Sequence, residues 1–447
     1  MDFSEIKTIL KDAAQKAGIR HFDVYYMTSK SVSAETLKSE ISSFSSETSI
    51  GICFRCLVDG HFGYASSEKI SEAELRLLVS RAMNNARYTE TEEEAILFEG
   101  ADSYRKVQNE MLPIPSASEL CDLALKIQKA TYEQSQYVSD GTQSSVGASQ
   151  ITVDLFNSYG LSLHKDASVY SAVVSAVVSK DGVSEDDYDY TFGKNFKGAT
   201  GLSDKVVASA LSKLGAAEID SGIYDIVISG KQMSVLLNTF SGIFSAKSVK
   251  LGLSLLAGKE GEKIAADSIT LVDDPYAENL VAKTPFDAEG VPTKTKTVIK
   301  DGVLQTFLYD LETAKAMGKQ TTANASKSGY ASPVVISPYY FGIEPGSVSF
   351  DELIARVKNG IYVTELKGLH AGANAVTGDF SIESAGYRIE NGKIGGAVKS
   401  FTIAGNFYDL LKNADALSDH VTVGVPGIFS AFGSPDVLLR KVSIAGK

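Results

Sequence analysis

Apolar residues along this chain follow two rhythms, and each rhythm names an element. Glu5–Ala17 carries a helical stripe, with Gly18 as its stop. His21–Met27 alternates Phe22, Val24 and Tyr26, as a half-buried strand does. Ser49–Tyr64 alternates on both sides of Asp59-Gly60, a hairpin signal. Ser71 with Glu74, and Ser116 with Glu119, form capping-box patterns. The helices after them repeat Leu75, Leu78, Val79, Ala82 and Ala86, then Leu120, Leu123, Ile127 and Ala130. Gln150–Asn157 and Ser168–Ser179 read as long strands, and Ser203–Leu214 as a helix ending at Gly215.

Beyond the polar segment Ala216–Gly222 the pattern becomes richer in strands and glycine. Lys231–Ser245 and Phe350–Lys358 are its clearest helices. The second has a Ser349/Glu352 box, with Asn359-Gly360 as the expected stop. Hairpins are expected at Asp301-Gly302 and Asn391-Gly392. Thr293–Thr297 alternates Thr with Lys, as a solvent-facing edge strand does. The fold class that follows is α+β. An N-terminal α/β domain (1–215) precedes a β-rich C-terminal domain (222–447), with the polar segment as junction.

Bulk properties narrow the function. A chain of 447 residues exceeds the roughly 100–200 of one ordinary domain. Hydrophobic content of 44% and charged content of 22% suit a globular protein. No apolar run approaches the ~18 residues of a membrane span, and the first residues lack the basic start of a signal peptide. The three cysteines make no disulfide framework, so a cytoplasmic setting is expected. The net charge of −12, without a Lys/Arg-rich run, argues against direct nucleic-acid binding.

Few residues advertise chemistry. Cys53-Phe54-Arg55-Cys56 is formally a C-x-x-C, but separation by three on a strand sends the side chains to opposite faces. Asp273-Asp274 and Asp287/Glu289 are paired acids in Pro- or Gly-bearing turns, where turn formation and solvation account for them. No G-x-S-x-G elbow exists, and Ser430 and Ser434 have no assignable base. The five histidines, His21, His61, His164, His370 and His420, are never within a helical turn of each other. The segment Gly368–Gly378, GLHAGANAVTG, is the candidate substrate or partner loop. Gly368, Gly372 and Gly378 permit close backbone approach, and His370, Asn374 and Thr377 add polar tips.

Several strings carry a resemblance. TGDFSIESAGYRIENG spans Thr377–Gly392, VDDP spans Val272–Pro275, and PFDAEGVPT spans Pro285–Thr293. DGVLQTFLYDLETAKAMG (Asp301–Gly318), FTIAGN (Phe401–Asn406), GSPDVLLRKVSIAG (Gly433–Gly446) and SIGICFRCLVDGHFGYASS (Ser49–Ser67) complete the set. In this order and spacing they resemble the TldD/PmbA family of peptidase subunits, also called modulators of DNA gyrase.

In the catalytic branch of that family an H-E-x-x-x-H helix binds zinc, two histidines ligating and a glutamate polarising water. The resemblance places Asn238 and Ile243 at the histidine positions and Thr239 at the glutamate. It also implies a late cysteine that this chain lacks, since all its cysteines lie at or before Cys121. What is implied is the TldE/PmbA-like branch: a metal-free subunit, with zinc supplied by a TldD-like partner and unfolded peptide as substrate. An autonomous hydrolase, or a homodimeric peptide-binding scaffold, are the alternatives.

Overall fold

The computed structural model describes residues 1–89 and 95–447. Helix α1 (Phe3–Lys16) opens on a reciprocal Asp2/Glu5 capping box and is followed by Gly18 at φ 73°. Strands β1 (His21–Leu37), β2 (Glu40–Val58) and β3 (His61–Ser67) follow, then helices α2 (Glu72–Arg87) and α3 (Ala117–Tyr132). Strands β4 (Gln143–Asn157), β5 (Ser162–Lys180) and β6 (Val183–Gly193) precede helix α4 (Leu202–Lys213). The six strands form one antiparallel sheet in the order β3-β2-β1-β4-β5-β6.

β1 runs ten residues beyond the stretch that its apolar alternation marked. The extension is rich in Ser and Thr, and it turns back through Lys38-Ser39, both at positive φ (52° and 64°) without a glycine. Ser116 and Glu119 form the full reciprocal box. Ser71 caps α2, but Glu74 turns its carboxylate to Ser67 and Arg81 instead of back to the cap.

One face of this sheet carries all four helices. Ile6, Leu10, Leu75 and Leu78 pack on Phe22, Val24 and Phe54, while Leu120, Ala124, Val206 and Val207 pack on Val32, Val146 and Val174. The opposite face of β1 and β2 presents Tyr25 and Cys53 to Phe286 and Ala288 of the second half of the chain. Cys53 and Cys56 therefore lie on opposite faces, Cys56 among the helices. Gly51 continues the Cys53 face, where a Cβ would lie 2.2 Å from the ring of Tyr330.

The second half begins with β7 (Gly222–Ile228), α5 (Gly230–Phe240) and, after a 3-10 turn, α6 (Ala246–Lys250). Next come β8 (Leu271–Asp274), β9 (Lys296–Lys300), β10 (Val303–Leu304), α7 (Leu311–Ala316), and the short pair β11 (Ala325–Ser326) and β12 (Val335–Ile336). β13 (Tyr340–Ile343), α8 (Phe350–Val357), β14 (Gly360–Lys367) and α9 (Leu369–Gly372) lead to β15 (Asp379–Glu390) and β16 (Lys393–Asn406). α10 (Phe407–Lys412), β17 (Ala414–Val423) and β18 (Ala431–Ala445) close the chain. Ten strands join in one mixed sheet, running β10-β9-β8-β13-β18-β16-β15-β14-β7, with β17 on β18 and a further β18–β7 pairing.

Three local expectations change. Asp301-Gly302 and Asn391-Gly392 are positive-φ hairpin turns as expected, but α8 ends at Lys358, itself at φ 58°. Gly360 instead starts β14, where a Cβ would meet the Asp225 carbonyl at 2.1 Å. Thr293–Thr297 is no edge: Thr293 and Lys296 are buried, and β9 lies between β10 and β8. The polar segment 216–222 is pinned, with Ala217 bridged to Val398 and Ile219 buried.

Candidate functional site

Helix α5 carries Asn238 and Thr239, and Ile243 follows in the next turn. Ser229 caps the helix by accepting from the Gln232 N–H, and Met233, Leu236, Leu237 and Phe240 face the core. Asn238 points to solvent. Thr239 donates its hydroxyl to the Val235 carbonyl at 2.9 Å, a local back-bond that fixes the side chain along the helix. Ile243 lies in the following 3-10 turn and is 1% exposed, inside the main apolar cluster. The three positions therefore do not converge. One faces water, one serves the helix and one is core, so this donor set does not fit zinc. Among the described residues no group of three His, Cys, Asp or Glu side chains is arranged to hold a metal ion.

The glycine loop sits beside this helix end. Phe240 stacks on Phe407 with centroids 4.6 Å apart and lies 6.3 Å from Phe380. Asn406, next to Phe407, donates to the Thr377 carbonyl at 2.8 Å and to Asp379 Oδ1 at 2.9 Å. Asn374 accepts from the N–H groups of Val376 and Thr377, closing an Asx turn. Gly368 and Gly378 are at φ 77° and 80°. A Cβ on Gly372 would meet the Ser381 carbonyl at 2.5 Å, so this glycine seats the loop against β15. His370 is exposed. Thus the loop is a braced structure with one free polar tip, and Tyr408 ties it to Leu255 and Val376.

Of the acids read as solvated turn residues, Asp273, Asp287 and Glu289 are buried instead, while Asp274 is half-buried and closes its turn by accepting from the Tyr276 N–H at 3.0 Å. Asp273 is 0% exposed. It accepts from Lys296 Nζ at 2.8 Å, from Asn324 Nδ2 at 2.7 Å and from the Tyr339 N–H at 2.7 Å. Its strand partner across β8–β9 is Lys296 itself, so the inward Lys of the Thr/Lys alternation exists to meet this carboxylate. Asp287 accepts from the N–H groups of Glu289, Val291 and Ala325 at 2.9 to 3.2 Å. Glu289 accepts from the Leu311 N–H at 2.9 Å and faces Arg55 Nη1 at 3.7 Å.

This network joins the two halves of the protein. Arg55 on β2 is held to Asp23 on β1, with Nη2–Oδ2 at 2.5 Å, and lies 4.4 Å from the centroid of the Phe62 ring. Lys165 on β5 reaches across to Thr284 Oγ1 at 2.8 Å and the Phe286 carbonyl at 3.0 Å. Burial pushes the Lys165 ammonium down to about 8, with Asp287 opposing. Burial raises both Asp287 and Glu289 above the ordinary carboxylate range. Of the two, Asp287 has three N–H donors and Glu289 one, so Glu289 retains its proton more readily. Next to these groups opens a cleft of 370 Å³ lined by Tyr25, Cys53, Arg55, Lys327 and Val334 among others. Burial raises the Cys53 thiol, which leaves it neutral and a poor nucleophile.

Three comparisons set this geometry in context. The family model of the PmbA/TldA metallopeptidase C-terminal domain matches residues 221–446. Those of domain 1 and the central domain match 22–86 and 111–214. This chain belongs to the PmbA/TldD metallopeptidase family. It is 30% identical to an uncharacterized protein of Methanocaldococcus jannaschii over 89% of this chain and 91% of that one. It is 26% identical to metalloprotease PmbA of Escherichia coli O157:H7, over 99% and 95% of the two chains. A candidate modulator of a DNA gyrase from Thermotoga maritima superposes with a TM-score of 0.90 at 26% identity, covering 99% of this chain and 100% of that one. TldE from Thermococcus kodakarensis shares the fold, with a TM-score of 0.87 at 23% identity over 99% and 100% of the chains.

The buried network was missed at the level of sequence because Pro and Gly beside an acid ordinarily mark exposed turns. The one local signal was the Thr/Lys alternation that carries Lys296; Arg55 and Lys165 lie more than a hundred positions from the loop they meet.

Proposed function

We propose that this chain is the metal-free subunit of a two-subunit TldD/TldE-like zinc metallopeptidase of the cytoplasm that degrades or processes unfolded peptides. The observation that carries the reading is helix α5, where Asn238 is in solvent, Thr239 is bonded to its own helix and Ile243 is in the core. Zinc hydrolysis needs the ion, an open coordination position and a base for the water, and this helix offers none. The metalloprotease names of relatives that match nearly the whole chain support a role in the same chemistry. A TldD-like partner then supplies zinc, ligands and base. This chain shapes the chamber, with the end of α5 and the glycine loop at His370 as the candidate contact. Among the described residues no helix is long and apolar enough to cross a membrane.

The test assays an unfolded peptide with this protein alone, with a TldD-like protein alone, and with both. Turnover is expected in the mixture at a rate exceeding the sum of the two, together with co-elution on gel filtration. Elemental analysis of the isolated chain is expected to find less than stoichiometric zinc. Turnover by this chain alone would move the assignment to an autonomous hydrolase. A mixture that neither associates nor turns over would leave a homodimeric peptide-binding scaffold.

A further inference from the structure

The Cys53 face of the N-terminal sheet turns several large side chains towards the second half of the chain. By register, Asp23 and Tyr64 both stand opposite Arg55, Tyr25 stands opposite Cys53, and Phe62 opposite Leu57. Side chains alternate along a strand, so Asp23, Tyr25, Cys53, Arg55, Phe62 and Tyr64 share this face. Over it stands the loop 327–334 that joins β11 to β12. The Tyr330 ring lies against Gly51, and its hydroxyl donates to Glu68 Oε1 at 2.6 Å, which anchors the loop on the sheet. The 370 Å³ cleft lies between loop and sheet, with Lys327 and Val334, the two ends of the loop, in its lining. That volume is within the roughly 300–1,000 Å³ of ligand-binding clefts.

The charges of this lining do not balance. Asp23, Arg55, Lys247, Glu312 and Lys327 are its charged members, three cations against two carboxylates. Asp23 answers Arg55. Lys327 is half-buried, and among the described residues no carboxylate pairs with it. Its ammonium lies 5.2 Å from the centroid of the Tyr25 ring and beside the Cys53 thiol, which burial keeps neutral. Burial also lowers the Lys327 ammonium below its ordinary value, as expected of a cation drawn out of water without a full counter-charge. An excess of one positive charge suits a monoanion better than a phosphate dianion. The rest of the cleft suits an apolar body. Val334 and Ala288 line it, and the Tyr64 ring at its rim is 54% exposed, free to stack on another ring.

We infer that the cleft between the β11–β12 loop and the N-terminal sheet binds a small carboxylate with an aromatic body, the carboxylate on Lys327 and the ring against Tyr64 and Val334. A charge-assisted bond to Lys327 gives the site its selectivity for an acid over the matching amide. A free aromatic acid and a carboxy-terminal aromatic residue of a peptide share this chemistry. The site is complete within this chain and stands apart from the two-subunit reading.

The test titrates the isolated full chain by calorimetry, so its outcome is separate from that of the partner assay. 3-Phenylpropanoate should bind saturably with a Kd of about 1 mM or below, and 3-phenylpropanamide at least about tenfold more weakly. Lys327→Met should weaken the acid by about tenfold or more, and Lys327→Arg, which keeps the charge, should hold it within about threefold. Tyr64→Ala should weaken it by about threefold to tenfold at an unchanged melting temperature, since the ring is largely exposed. Acetyl-Ala-Ala-Phe with a free carboxylate distinguishes the two sources: tighter binding than 3-phenylpropanoate supports a peptide terminus, weaker binding a free acid. No saturable binding by either acid, equal binding of acid and amide, or undiminished binding by a folded Lys327→Met would overturn the inference. If Lys327→Met fails to fold, Tyr64→Ala decides, and full binding by that variant overturns it. Inorganic phosphate binding as well as the acid would overturn it in favour of a general anion site.

Discussion

The two sheets of this protein are built by different rules. The six-stranded sheet is built of antiparallel pairs with long registers, shifted between β1 and β2 at Glu35/Thr36; β1 pairs with β4 through Asp23–Asn157 to Leu37–Gln143 without a shift. Its order departs from the chain order only where β4 returns beside β1. The ten-stranded sheet mixes parallel and antiparallel pairs, and its registers slip at β14–β15, β15–β16 and β17–β18. The first sheet is held by an apolar face under four helices. The second buries an ion pair within its own ladder, Asp273 on β8 with Lys296 on β9, whereas the buried Arg55 and Lys165 of the first sheet lie at its contact with the second half of the chain. A sheet held by apolar area tolerates local adjustment. One held by buried charge depends on each partner being present, because an orphaned charge retains its desolvation cost.

The largest expected effect tests that dependence. Lys296→Met leaves Asp273 buried without its cation and should cost about 3–5 kcal/mol, read as a lower urea midpoint. Adding Asp273→Asn should recover part of the loss. If Lys296→Met alone is tolerated, the contrast between the sheets fails. A smaller effect sharpens the glycine loop. Gly372→Val drives a side chain into the Ser381 carbonyl and should cost about 1–3 kcal/mol, whereas His370→Ala should leave stability within about 0.5 kcal/mol. Any loss of activity in the partner assay by His370→Ala would then be a contact effect and not a folding effect.

The smallest effect is a slope. A carboxyl raised in the folded state stabilises below its unfolded value of about 4.3 and loses that contribution as pH rises towards the folded value. Glu289, raised by burial, should therefore make the native protein less stable from about pH 5 towards pH 8. Glu289→Gln should flatten that fall by on the order of 1–2 kcal/mol, measured as urea midpoints across the range. Lys165, depressed to about 8, acts with the opposite sign and in another window. Its unfolded form binds more protons between about 8 and 10.4, so stability gains with pH there. An unchanged slope in Glu289→Gln would place the titration elsewhere.

Much of the fold was legible. Helical stripes and turn dipeptides located α1 to α4 and the hairpins at Asp59-Gly60, Asp301-Gly302 and Asn391-Gly392, because these signals are local. The Lys38-Ser39 turn escaped because neither residue favours positive φ, and long pairing with β4 carries β1 past its apolar stretch. Lys358 takes the positive φ that the neighbouring Asn-Gly led one to expect at Gly360, in a tight turn where the Asn359 N–H donates to the Val357 carbonyl at 2.7 Å. At the candidate site, the motif residues were visible in the string, but the burial of Ile243 and the exposure of Asn238 were not.

The sequence by itself determined the α+β class and the family resemblance, and it showed Asn238, Thr239 and Ile243 to be poor zinc ligands by side-chain chemistry. Those follow from residue identity and near-neighbour spacing. Only the tertiary structure decided that Asp273, Asp287 and Glu289 are interior and that Thr293–Thr297 is not an edge. Burial depends on which distant segment lies against a residue. Arg55 meets Glu289, and Lys165 meets Phe286, across more than a hundred positions of chain, a separation that no local pattern records.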